Sequence, residues 1–404
     1  MNYIKVFIKY LVLSITLMSL ILCVVLAYLA FVPPKSFKPE SRQFNDHSIY
    51  ELEKKTGWYT LEDGTKLLIT WGAYGGLIAV DFVNHEIKEW MPVSEDEFFW
   101  QKGDDRITIN FTSSNKEGRR FTWIADERSK QIAKMDSNQP YGQQEVTFYN
   151  NNVKLSGTLL IPKNSPVQNA AVFIHGSGVS DRNNYWYLYQ ANYLAQNNIM
   201  VLLPDKRGSG SSSGFWHTSS MQDFALDAIA GAKYILNHYP EDVRSIGFVG
   251  FSQGGVIAPL AGSMYSETDF IVDVVGSTVT FNQQLKFEIY NDAVSKGVPE
   301  IFAKIITPAF VRRAKNRRPI WWKKNGSYSP LTYLQNTDVP SLIVFGLQDK
   351  NAPVKASLKN LQSIVNKNIT IEVFEDSGHA LKDPSTGWIR HDYLQMLMEW
   401  IQKR

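Results

Sequence analysis

The stretch 244-RSIGFVGFSQGGVIAPLAGS-263 decides how this chain is read. An apolar run, IGFVGF, breaks at Ser252, and QGGVIAPLAG then continues with the apolar, small-residue texture of a helix. A strand, a sharp turn and a helix, with glycine two residues before and two after the serine, is the setting of a nucleophile elbow. Side chains at Gly250 and Gly254 would crowd the turn, and the serine hydroxyl would stand at the strand's C-terminal end beside a helix N-terminus, where partial positive charge favours a developing anion. By itself the pattern is equally that of a small polar residue in a glycine-rich turn, so the remaining residues must decide between the two.

A hydroxyl nucleophile needs a base, and the base needs an acid to hold its tautomer. GLQDKNAPV places Asp349 just after an apolar strand, and FEDSGHAL places His379 in the loop after the next one. Of the seven histidines, this one alone combines a loop after the last strand with an adjacent glycine. Asp376 competes with Asp349 as the acid, but it belongs to the histidine's own loop. Upstream, FIHGSGVSDRN sets His175 and Gly176 at the end of an early strand, where the backbone N–H of Ser177 can face an oxyanion together with that of Gln253. His175 itself is expected to hold this loop through its ring. In PDKRGSGSSSG, Asp205 and Arg207 are expected to pair and anchor the loop. That segment lacks the glycine frame of a dinucleotide site, and no His, Cys or acid spacing suggests a metal, so no cofactor is expected.

Outward from these residues, strand-type runs alternate with helix-length segments from about 141 to the C-terminus, the pattern of a mostly parallel sheet covered on both faces. Residues 281–335 interrupt it with short helices broken by Pro299, Pro308 and Pro319, an insertion that reads as a cap over the sheet edge. Residues 40–140 read instead as short strands with turn signals such as Asp63-Gly64, a small β-sandwich or barrel without a catalytic constellation, where His47 and His85 stand isolated. Before them, Tyr10 to Val32 is free of charge and long enough to span a bilayer. A cleaved leader is the competing reading, with cleavage after Ala27. The proline-interrupted stretch 33–39 reads as a linker, so the expected units are 1–39, 40–140 and 141–404. Lys5 and Lys9 precede the apolar run and Lys35, Lys38 and Arg42 follow it, so the charge rule does not orient it; a short basic flank before a first long apolar run resembles an N-inside signal anchor, with the remainder expected outside the cytoplasm.

The balance of 42 basic and 39 acidic residues is too even for a nucleic-acid partner, and one cysteine, Cys23, excludes an intramolecular disulfide. Oligomeric state is not readable.

Taken together, HGSGVSDRN, DKRGSGSSSG, GFSQGG, GLQDKNAPV and SGHAL resemble the α/β-hydrolase superfamily, especially bacterial esterases, acyl-peptide hydrolases and proline-iminopeptidase-like enzymes. The resemblance covers about 141–404. It implies Ser252 as nucleophile, His379 as base, Asp349 as acid, and Ser177 and Gln253 as oxyanion donors. The expected activity is hydrolysis of carboxylic esters through an acyl-enzyme, on a small-molecule or lipid-like acyl ester. Lysophospholipase, thioesterase or small-peptidase activity on the same triad is the alternative. A surface binding module that kept a hydrolase scaffold is the alternative of another class.

Overall fold

The computed structural model describes residues 2–404 apart from 32–51, 53, 72–75, 85, 103, 113–118, 125–128, 137–140 and 164–166. The expected linker at 33–39, His47 and His85 therefore lie outside the described residues.

The chain starts with helix α1, Asn2–Phe31, whose side chains are described for residues 6–20. Among the described residues no helix is long and apolar enough to cross a membrane; the side chains of 21–32, half of the span expected over 10–32, lie outside the described residues.

Eight short strands follow: β1 Gly57–Thr60, β2 Lys66–Trp71, β3 Leu77–Asp81, β4 Glu86–Pro92, β5 Glu97–Lys102, β6 Asp105–Thr112, β7 Arg120–Ile124 and β8 Lys130–Met135. Each pairs antiparallel with the next, and β1 meets β8 at Tyr59 and Met135, which closes a barrel and leaves no free edge. Its interior is aromatic, with Tyr59, Trp90, Phe98, Phe111 and Phe121 packed together. Of the two architectures the sequence leaves open for this region, the chain adopts the barrel. Strand β3 is buried at every position. Leu77 and Ala79 face the barrel interior, while Ile78 and Val80 point outward into the core of the following unit.

That unit is an eight-stranded sheet. The hairpin β9 Tyr141–Asn150 and β10 Val153–Pro162 leads to β11 Asn169–Ile174, α2 Tyr185–Gln196, β12 Ile199–Pro204, α3 Met221–His238, β13 Ser245–Phe251, α4 Gln253–Met264 and β14 Phe270–Val274. After four cap helices come β15 Ser341–Gly346, α9 Val354–Gln362, β16 Ile369–Phe374 and α10 His391–Gln402. The strand order is β16-β15-β14-β13-β11-β12-β10-β9; β10 pairs antiparallel with both β9 and β12, and the other neighbours pair parallel. The central strands are buried along their whole length, as a sheet covered on both faces demands. Helices α2 and α10 cover one face, α3 and α4 the other.

The cap consists of α5 Phe281–Ser295, α6 Glu300–Arg317, α7 Pro319–Asn325 and α8 Leu331–Asn336. Pro299 and Pro319 bound α6, as prolines at helix starts do, but Pro308 does not break it. That residue lies on the exposed side of the helix.

Candidate active site

Strand β13 ends at Phe251, and Ser252 takes φ 55° and ψ −115° before α4 begins at Gln253. A non-glycine residue at positive φ is strained and persists only where its surroundings hold it. Here the holding is mutual. A Cβ on Gly250 would run into the carbonyl of Gly254, and a Cβ on Gly254 into the carbonyl of Ile174, both closer than 3.0 Å. Only glycine lets β13, β11 and α4 approach this closely, and the approach presents Ser252 Oγ to the cavity.

His379, in the loop after β16, lies with Nε2 2.9 Å from Ser252 Oγ and Nδ1 2.7 Å from Asp349 Oδ2. The side chain of Asp349 is fully buried after β15, and its Oδ1 accepts the backbone N–H groups of Asn351 and Ala352 at 2.7 and 2.9 Å. A carboxylate held by donors can only accept, so the His379 Nδ1 carries a proton and Nε2 offers its lone pair to the serine O–H. Asp376, the competing acid, is half exposed and bound to Arg390.

The His175 ring donates from Nε2 to the Pro204 carbonyl at 2.6 Å and accepts the Ser180 hydroxyl at Nδ1, 2.9 Å away. Burial pushes its pKa down to about 4, which keeps it neutral and fit for this bridging contact. The N–H of Gly176 donates to the Tyr187 hydroxyl at 2.8 Å. The Ser177 and Gln253 N–H groups have no backbone acceptor among the described residues, and both residues line the cavity that holds Ser252 and His379. This cavity is about 280 Å³; the cap and the loop before α3 furnish its other wall with Phe281, Gln284, Leu285, Glu288, Arg318, Trp321, Trp322 and Trp216. Glu288 is held by Gln284 at 2.9 Å, and burial raises its pKa.

The expected pair of Asp205 with Arg207 does not form. Asp205 binds Arg182, with Oδ2 2.8 Å from Nη2 and Oδ1 3.0 Å from Nε, while Arg207 binds Asp227, with Nη2 2.6 Å from Oδ1. The chain has left β12 at Pro204 and turns at Arg207, so the strand's alternation no longer sets the two side chains and each reaches a different layer: Asp205 the loop before α2, Arg207 the helix α3. Sequence reading also passed over the residue between them. Lys206 is buried and its Nζ donates to the Gly176 carbonyl at 2.6 Å and to Gln253 Oε1 at 2.7 Å. A lysine among apolar strand ends and paired with no sequence neighbour was the available signal. Tyr187 and Ser180 carried none.

The constellation suits attack on a carbonyl: a hydroxyl bound to a histidine, two N–H groups with no backbone acceptor among the described residues, and a walled cavity. A family model described as serine aminopeptidase, S33, matches residues 165–321, which include Ser252 but neither Asp349 nor His379. Among solved structures, an esterase of Pyrococcus furiosus is similar at 21% identity, covering 67% of this chain and 95% of its own, with a TM-score of 0.50. An acylaminoacyl peptidase of Pyrococcus horikoshii is similar at 16% identity over 81% of this chain and 54% of its own, with a TM-score of 0.49. No curated protein sequence matches the chain. The fold of residues 141–404 is that of the α/β-hydrolases.

Proposed function

We propose that the protein is a serine hydrolase that cleaves carboxylic esters through an acyl-enzyme. The observation that carries this reading is the chain from Ser252 Oγ through His379 to Asp349, with the serine held at positive φ at the sheet edge. His379 takes the proton as Ser252 attacks, returns it to the leaving group, and then activates water for deacylation. The N–H groups of Ser177 and Gln253 stabilise the oxyanion. Phe281, Leu285, Trp321 and Trp322 on the cap side of the cavity suit an acyl or aromatic group. A fluorophosphonate probe tests the reading: the folded protein is expected to be labelled and Ser252→Ala not, and equal labelling of the two overturns it.

Glu288 favours a second reading on the same triad, an aminopeptidase. Its carboxylate shares the cavity with His379 and interacts with it electrostatically, a place suited to a substrate ammonium. Glu288→Gln should then depress turnover of aminoacyl anilides while sparing simple esters such as p-nitrophenyl butyrate.

We also propose that the N-terminal segment tethers the enzyme to a membrane with the catalytic unit outside the cytoplasm. In support, α1 is one helix over Asn2–Phe31, and each of its side chains described, residues 6–20, is exposed, among them Phe7, Leu11, Leu13, Leu17 and Met18. Protein that stays in the pellet after alkaline washing of cell membranes, and is digested by protease added to intact cells, is the expected result. Recovery in the soluble fraction overturns the tether.

A further inference from the structure

We propose that Lys206 is a positioning residue of the oxyanion hole, its one ammonium group gripping the donor peptide of Ser177 and the side chain of the other donor residue, Gln253. This inference rests on the hydrolase reading above. The first grip is on the Gly176 carbonyl, 2.6 Å from Nζ. That carbonyl and the Ser177 N–H belong to the same peptide unit. In a trans peptide the C=O and N–H point in opposite directions, so a cation bound at the carbonyl end fixes the direction of the N–H at the other. It also polarises the unit, because hydrogen bonds in series strengthen one another, and the N–H becomes a better donor. The second grip is on Gln253 Oε1, 2.7 Å from Nζ, which anchors the residue whose backbone N–H is the other donor.

The surroundings are those of a charge kept at a cost. Lys206 leaves β12 into an apolar site, with Nζ 4.8 Å from the centre of the Phe224 ring and 5.9 Å from that of Trp216. Those ring faces favour a cation. The charged groups around it are Arg318 from the cap, which opposes its charge, Asp227 from α3, which supports it, and neutral His175 beside it. Asp205 and Arg207 are engaged with Arg182 and Asp227. Burial, and then Arg318, pushes the lysine down to about 7. Between the ordinary lysine value of 10.5 and about 7 the unfolded chain holds a proton that the folded protein gives up, so this residue subtracts from stability as pH falls through that window. A lysine used only to brace the fold would be a poor choice here; one that orients catalytic donors explains the cost.

The experiment compares wild type, Lys206→Met and Gln253→Met, each full length, by kinetics on p-nitrophenyl butyrate, inhibition by a trifluoromethyl ketone that forms a hemiketal oxyanion on the serine, and melting temperature. For Lys206→Met we expect kcat to fall about tenfold to a hundredfold, towards the loss seen on removing a donor, with KM nearly unchanged. The ketone's affinity should fall in parallel with kcat, and Tm should stay level or rise. Gln253→Met keeps its backbone N–H and should show a smaller loss of the same kind. A folded Lys206→Met with wild-type kcat and ketone affinity overturns the proposal, as does a variant whose kcat falls only together with Tm. Failure of the hydrolase reading looks different: wild type itself would neither turn over the ester nor bind the ketone.

Discussion

At the scale of single residues, the site depends on side chains whose geometry is enforced by neighbours rather than by their own preferences. Ser252 accepts a strained backbone because Gly250 and Gly254 remove the atoms that would push the strand and helix apart. His379 is set by Asp349, not by the nearer-in-sequence Asp376, because Asp349 stands at the end of β15, directly beside the strand that leads to the histidine loop. The two acids make opposite predictions. Asp349→Asn should lower kcat about 10⁴-fold by permitting the wrong histidine tautomer. Asp376→Asn removes one half-exposed ion pair with Arg390 and should leave kcat within about twofold, since exposed pairs contribute little. Steady-state rates on one ester decide it, and a larger loss at Asp376 would reverse the assignment.

At the scale of elements, β14 carries a group at odds with its burial. Asp273 pairs in register with Gly250, and its side chain fills the space left by Gly255 and Gly276. Its Oδ1 accepts the Gly276 N–H at 2.8 Å, while Oδ2 has no hydrogen-bond partner among the described residues. Burial pushes its pKa up to about 7 from 3.8. Between those values the folded protein holds a proton that the unfolded chain has released, so the group withdraws stability progressively as pH rises from about 4 to 7. Asp273→Asn should flatten that fall and raise the urea midpoint at pH 8, while at pH 4 the two proteins should differ little. The loop after β12 teaches a related lesson. Asp205 and Arg207 were legible as anchors, but their partners, Arg182 and Asp227, lie on elements that no local pattern connects to them.

At the scale of the whole molecule, the barrel and the hydrolase unit share a core. Phe82, just past β3, stacks on Trp58 at 5.5 Å and on Tyr189 of α2 at 5.3 Å, and Trp58 Nε1 donates to the Tyr141 hydroxyl at 3.1 Å. With Ile78 and Val80 these residues join one apolar cluster that runs from the barrel wall to α10. Phe82→Ala should cost about 2 kcal/mol of stability from the lost aromatic burial, read as a lower denaturation midpoint, with kcat unchanged because the contact is remote from Ser252. Unchanged stability would mean that the two units are only loosely joined.

By itself the sequence determined the alternation of strands and helices after 141, the β texture before it, and the order Ser252, Asp349, His379, because these follow from local periodicity and from residue types with few alternative uses. It also marked the glycines of the elbow. Tertiary structure alone decided that the β region closes as a barrel, that β3 is buried on both sides, that α6 passes through Pro308, and that Asp205 and Arg207 part company. It alone brought Lys206 beneath Gly176 and Gln253, which stand 30 and 47 positions away along the chain. The physical reason is common to all of these. Hydrogen bonds and burial depend on which surfaces the completed sheet brings together, and a side chain's own sequence neighbourhood carries no record of that.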